Sequence, residues 1–333
     1  MRIALISDAW HPQINGVVTT LTNTIKTLKN FGHEVEIFGP DRFWGVPCPG
    51  YPEVKLSFLC GFRLRPLLKA FKPDAIHIVT EGPIGFAARR YCRELGYRYT
   101  TSYLTQFPEY LRLRIGFPLL ISEGFLRWFH SESAHVMVAT PSVEQSMVAK
   151  GYQRMARWSR GVDTELFHPR EKDFIPDQRP ILMYMGRVAI EKNIEAFLKL
   201  DLPGTKYVVG DGPQKKELEA KYPHVRFTGY KKGEELARYM AAADVFVFPS
   251  LTDTFGVVLL EAMACGVPVA AFPVQGPKDV ILDERAGILS DDLQAGIMKA
   301  MTLNPEDCRQ YALQYTWEKC TQQFLNNLVP IVA

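Results

Sequence analysis

Apolar runs of strand length alternate with stretches of helical apolar spacing along the chain, and they do so in two rounds. In the first round Arg2–Ser7, Glu34–Phe38, Ala75–Val79, Tyr97–Tyr103 and Val136–Ala139 read as strands. Val17, Val18, Leu21, Ile25 and Leu28 put an apolar stripe on the segment after the first strand, and further helices are expected around Ile84–Leu95, Ser122–Phe129 and Ser142–Lys150. The second round reads Ile181–Met185, Tyr207–Val209, Val225–Phe227, Val245–Phe248 and Val267–Ala271 as strands. Such alternation demands parallel sheets covered by helices on both faces, so the expected fold is α/β with two doubly wound, Rossmann-like domains. A chain of 333 residues suits two cores better than one. The charged, proline-containing stretch from Phe167 to Asp177 suits a linker, which sets the expected domains at 1–168 and 169–315.

Several classes of function are disfavoured by composition. No apolar run approaches the roughly 20 residues that span a bilayer, and the amino terminus reaches Asp8 without a signal-peptide core, so a cytoplasmic protein is expected. The six cysteines form no Cys-x-x-Cys pair and read as reduced thiols. Seven scattered histidines and the lack of an Asp-x-Asp pattern offer no metal clamp, so no metal is expected. Aromatic residues are not interleaved with the basic runs, which argues against nucleic acid.

Two strings carry chemistry. Gly186-Arg187-Val188-Ala189-Ile190-Glu191-Lys192 follows the strand Ile181–Met185 and precedes a helical stretch from Glu195 to Leu200. The planar fork of Arg187 and the point charge of Lys192 then stand at a strand's carboxyl end, where a diphosphate could sit. The plain alternative is a surface Arg and Lys paired with Glu191. The second string, Asp253-Thr254-Phe255-Gly256-Val257 running on to Glu261, follows the strand Val245–Phe248. Gly256 would open a helix amino terminus to an anion, while Asp253 and Glu261 are placed to accept hydrogen bonds from hydroxyls at opposite ends of an extended ligand. In the first half, Gly16 opens the first helix after the loop from Asp8 and could likewise face a ligand.

The two strings resemble the donor-binding signature of the retaining GT-B glycosyltransferases related to glycogen synthase, glycosyltransferase family 4. Gly161-Val162-Asp163, Gly210-Asp211-Gly212-Pro213 and Phe227-Thr228-Gly229-Tyr230 match that family in the same order, from Ile3 to about Asn327. Thr252-Asp253-Thr254-Phe255-Gly256 and Ser159-Arg160-Gly161-Val162-Asp163 look most like the sulfoquinovosyl- and mannosyl-lipid transferase branch. The resemblance implies two domains facing a central cleft and a final helix, 316–333, crossing back to the first domain. It implies that Arg187 and Lys192 hold the diphosphate of a UDP- or GDP-sugar, Asp253 the sugar and Glu261 the ribose, with Gly16, Gly186, Gly210, Gly212, Tyr230, Thr254, Phe255, Gly256 and Val257 around the donor. The nucleotide sugar is then a substrate, and no cofactor is expected. The reaction implied is transfer of a hexose to a lipid hydroxyl with an α-linkage as product.

One departure from the branch stands out. Its relatives carry histidine in a string like Tyr-His-Thr-x-Phe-Pro-x-Tyr, whereas this chain has Leu104 after Tyr103. A leucine side chain makes no hydrogen bond, which keeps open a sugar-nucleotide-binding protein with impaired catalysis, and the implied GT-B fold could also host a sugar-nucleotide epimerase.

Charge is divided between the halves. Residues 1–170 carry 21 Lys and Arg against 14 Asp and Glu, and residues 171–333 carry 18 against 22. Arg63 and Arg65, and Arg112 and Arg114, lie among apolar residues in the stretches 63–69 and 111–120. With a lipid acceptor implied, these stretches are expected to dock on an anionic membrane surface, as a peripheral protein on its inner face. Two solvated helix faces over an ordinary core are the alternative. The pattern says nothing of oligomeric state.

Overall fold

The computed structural model describes residues 1–13, 15–48, 51–109, 112 and 116–332, with the backbone alone at 51–53. The chain forms two compact units, Met1–Ser159 with Trp317–Ala333, and Arg160–Thr316. The boundary therefore falls before the expected 168/169: the stretch 167–177 belongs to the second unit, and the charged linker is part of its fold.

The first unit is a six-stranded parallel sheet in the order β2-β1-β5-β6-β7-β8. Its strands are β1 Arg2–Ile6, β2 Glu34–Phe38, β5 Ala75–Ile78, β6 Thr100–Tyr103, β7 Val136–Val138 and β8 Met155–Arg157. A separate antiparallel hairpin, β3 Trp44–Cys48 with β4 Tyr51–Phe58, follows β2. Strands such as Ile3–Ile6 and Ala75–Ile78 are buried throughout, because helices cover both faces of a parallel sheet and leave no solvated side to read as alternation. On one face the helices Cys60–Phe71 and Pro83–Leu95 contribute Leu64, Leu68, Ala88 and Cys92 to a core that includes Ile6 and Ile78. On the other, the helices Gly16–Asn30 and Trp317–Asn327 bury Leu21, Leu28, Trp317 and Phe324 against Ile3 and Leu5.

The second unit repeats the plan in the order β11-β10-β9-β12-β13-β14. Its strands are β9 Ile181–Met185, β10 Thr205–Val209, β11 Arg226–Gly229, β12 Val245–Phe248, β13 Val269–Ala271 and β14 Gly287–Leu289. From β9 the chain builds outward to β10 and β11, then returns to lay β12 on the other side of β9. This reversal is the switch point at which open α/β sheets bind ligands beyond the carboxyl ends of their strands. The expected helix from Glu195 to Leu200 is shorter, a 3-10 turn Ile190–Lys192 followed by a single turn Glu195–Leu198.

No helix among the described residues is long and apolar enough to cross a membrane. None of the six cysteines is in a disulfide.

Candidate active site

The loops after β9 and β12 lie side by side at the switch point of the second unit, and hydrogen bonds join them. Lys192 Nζ donates to Asp253 Oδ1 at 2.6 Å. Thr252 Oγ1 and Ser250 Oγ donate to the Glu191 carbonyl at 3.1 and 3.4 Å, and Asn193 Nδ2 to the Pro249 carbonyl at 3.0 Å. Asn193 itself sits at φ 50°, a left-handed position that asparagine tolerates better than most side chains. The carbonyl of Arg187 accepts from Tyr184 Oη at 2.8 Å, which anchors that loop to its own strand while the Arg187 side chain stays half-buried.

Asp253 is engaged on one oxygen only. Its Oδ2 is buried and has no hydrogen-bond partner among the described residues, an acceptor a ligand hydroxyl could satisfy. A few residues further on, Gly256 at φ 84° turns the chain into the helix Val257–Ala264, and as the N-cap residue it has no side chain to bond the first amides. Its first amides and the helix dipole together favour an anion. Thr254 and Phe255, between Asp253 and Gly256, are buried. Glu261 lies in the second turn of the same helix, half-buried, and its carboxyl is pushed up to about 7 by burial. Loss of solvent disfavours the charged carboxylate, and hydroxyl donors from a ligand would restore it.

Gly210 and Gly212 lie in close backbone contact with the loop after β9. A Cβ at Gly210 would lie 1.8 Å from the Gly186 carbonyl oxygen, and one at Gly212 would lie 2.3 Å from that of Val188. These residues let the loop after β10 lie directly on the loop after β9, joined by Gly186 N to Val209 O at 3.0 Å and Val188 N to Asp211 O at 2.9 Å. These bonds flank Arg187 on either side in the chain. Gly276 was missed by the sequence reading: at φ 87°, its Cβ would stand 2.7 Å from the Asp253 carbonyl oxygen. Lys215 was also missed; its Nζ lies 3.8 Å from Asp211 Oδ2. Tyr230 follows the edge strand β11 and is exposed.

Gly16 and Leu104 belong to the first unit. The amides that Gly16 was expected to free are already capped, since Asn15 Oδ1 accepts from Val17 N and Val18 N, each at 3.0 Å. Leu104 is buried in the apolar cluster with Val17, Leu21, Val79 and Trp158. Arg63 and Arg65 are exposed on the helix Cys60–Phe71, and Arg112 is exposed in a helical residue, whereas Arg114 lies outside the described residues. Among the described residues no group of three His, Cys, Asp or Glu is arranged to hold a metal ion.

The sequence matches two family models, "Glycosyltransferase Family 4" over residues 14–166 and "Glycosyl transferases group 1" over residues 179–303. A GDP-mannose-dependent α-mannosyltransferase of Mycobacterium tuberculosis is 30% identical over 317 residues, covering 87% of this chain and 83% of the relative. The chain belongs to the family 4, group 1 glycosyltransferases. An α-monoglucosyldiacylglycerol synthase of Streptococcus pneumoniae is 28% identical, over 92% of this chain and 79% of that protein. Among solved structures, sucrose-phosphate synthase from Thermosynechococcus elongatus superposes with a TM-score of 0.78 at 21% identity, covering 98% of this chain and 97% of the other. The fold of this glycosyltransferase is therefore GT-B, and the enzyme is a hexosyltransferase that uses a nucleotide sugar.

Proposed function

We propose that this glycosyltransferase moves a hexose from a UDP- or GDP-sugar to a lipid hydroxyl, such as that of a diacylglycerol or a phosphatidyl lipid, with retention of the anomeric configuration and without a metal or cofactor. The observation that carries the donor side is the Lys192–Asp253 pair beside the helix that starts at Gly256, with Asp253 Oδ2 left to accept. In this reading the diphosphate lies against Arg187, Lys192 and the first amides of the helix Val257–Ala264. Asp253 takes a sugar hydroxyl and Glu261 the ribose hydroxyls. The bond from C1 to the phosphate oxygen breaks, the acceptor oxygen bonds to C1 on the same face, and the acceptor proton passes to the leaving phosphate. Charge growing on that phosphate meets donors already fixed in place, the arrangement that contributes most in reactions of this type.

The lipid acceptor rests on the kind of relative matched, the pneumococcal diacylglycerol enzyme among them. Leu104 is compatible with activity in this scheme, because it closes an apolar layer of the first unit. Arg187→Ala and Lys192→Ala test the donor assignment. Each removes a charge-assisted contact worth about 1.5–3 kcal/mol, so nucleotide affinity and transfer should fall roughly ten- to a hundredfold, with the melting temperature held in Arg187→Ala and lowered in Lys192→Ala, which leaves Asp253 without its ion pair. Unaltered kinetics in both variants would remove the donor site from these loops.

A further inference from the structure

The hairpin β3–β4 has its polarity reversed. In a hairpin that covers a core, alternate side chains put the apolar set inside and the polar set in water. Here Trp44, Val46, Leu56 and Phe58 are the outward set, 52%, 54%, 41% and 48% exposed, while Ser57 is buried. Trp44 pairs with Phe58 and Val46 with Leu56 across the two strands, so the four side chains form one continuous outer face. The chain then turns through Leu59, held at φ 53°, into the helix Cys60–Phe71 and exposes Phe62 at 79%. A left-handed backbone is costly for a bulky leucine, which marks this corner as one the fold maintains against its local preference.

Charge around this apolar face is mostly positive, with Asp41 and Asp74 flanking the stretch. From residue 42 to residue 72 the chain carries Arg42, Lys55, Arg63, Arg65, Lys69 and Lys72 against Glu53 alone. Arg42 and Lys55 turn inward, to Glu36 and the Phe43 carbonyl, and Arg65 pairs with Glu94. Arg63 remains on the outer side, its guanidinium 5.0 Å from the Trp44 ring centroid, and Lys69 is exposed two turns along the same helix. An interfacial Trp and Phe beside arginine and lysine match the boundary between acyl chains and phosphate headgroups, where aromatic rings and long cationic stems are both favoured. A second copy of the chain would bring like charges together at the rim, which disfavours it as the occupant.

We propose that the outer face of the hairpin and the start of the helix Cys60–Phe71 form a docking surface for an anionic lipid bilayer. The surface is apolar at its centre and basic at one edge, so it combines shallow insertion with attraction to headgroup phosphate. It deepens the lipid-acceptor reading, since it would hold the enzyme where such an acceptor resides, and it differs from the expectation in assigning the leading role to the hairpin.

The full-length enzyme is sedimented with vesicles of phosphatidylcholine alone and of phosphatidylcholine with phosphatidylglycerol. Binding is expected to the anionic vesicles and to weaken with salt. The double variant Leu56→Ser with Phe62→Ser should lose about tenfold in vesicle affinity, and Arg63→Ser with Lys69→Ser should lose most of the salt-sensitive part. All four side chains are exposed, so melting temperature and nucleotide affinity should stay as in the wild type. Blue-shifted tryptophan emission on adding vesicles, absent in Trp44→Phe, locates the contact. Unchanged vesicle affinity in the apolar double variant overturns the proposal, and so does a lipid-free dimer that Phe62→Ser dissociates, which would assign the face to a second copy. Transfer to a detergent-dispersed lipid separates this surface from the function it serves. Vesicle binding without any lipid transfer leaves the surface standing and rejects the acceptor, whereas transfer in detergent without vesicle binding does the reverse.

Discussion

At the scale of single residues, the sharpest consequence comes from Glu261. Its carboxyl is raised by burial from 4.5 to about 7, so between those values the folded enzyme retains a proton that the unfolded chain has released. This residue's contribution to stability is therefore full below about 4.5 and is lost as pH rises through about 7. Ligand hydroxyls donate to the ionised form, so nucleotide-sugar affinity should move the other way and strengthen from pH 6 to pH 8. In Glu261→Gln that pH dependence should flatten, with affinity at pH 8 lower by about tenfold, the loss of a hydrogen bond to a charged acceptor. Calorimetric titration of donor at three pH values in both forms checks it. A variant that keeps the wild-type slope would move the titrating group elsewhere. Leu104 illustrates the limit of reading such a site from sequence. Its position in a motif is visible, but its burial beside Val79 and Trp158 depends on strands far apart in the chain.

Elements were legible to the extent that their burial is uniform. Ile181–Met185 and Val245–Phe248 are buried end to end and read as strands with the observed limits, because nothing interrupts their apolar runs. The hairpin gave no such signal: Pro47 and Pro52 interrupt its runs, and its outward apolar set is meaningful only once the inner side is known. The loops of the site were visible one at a time. Lys192 and Asp253 both stood out, but the pairing across them is set by the return of β12 to the side of β9, and Gly276 matters only because that return brings Asp253 against it. The glycine roles can be separated by experiment. Gly210→Ala places a Cβ 1.8 Å from a carbonyl oxygen at φ 151°, and should cost at least about 1–3 kcal/mol while weakening donor binding through the displaced Arg187 loop. A Cβ at Gly16 meets nothing within 4 Å at the start of a helix, so Gly16→Ala should leave the melting temperature unchanged or slightly higher. Equal losses in the two variants would contradict the assignment of Gly210 to loop packing.

The molecule as a whole is two units of opposite charge. The first carries 20 Lys and Arg against 13 Asp and Glu, and the second 19 against 23. Its basic half is also the half with the apolar hairpin, so attraction to an anionic surface and insertion act on the same unit. The last helix, Trp317–Asn327, belongs to this unit as well. Phe324 lies 4.7 Å from Trp158 and 4.9 Å from His77, ring centre to ring centre, and is fully buried. Phe324→Ala should destabilise the first unit by about 3–5 kcal/mol. Urea unfolding followed with and without nucleotide should then show two steps, the earlier one insensitive to ligand and the later one protected by it. A single ligand-sensitive transition in the variant would mean that the units unfold together.

That final helix also fixes an order of events during synthesis. The strands β1 to β8 leave the ribosome before the second unit, yet one face of their sheet stays without Trp317, Cys320 and Phe324 until all of Arg160–Thr316 has been translated. The second unit, continuous from Arg160 to Thr316, meets no such delay. The sheet whose strands are made before the second unit is thus completed only after it, and a chain cut back to Thr316 would keep the second unit whole while the helix Gly16–Asn30 alone covered that face of the first.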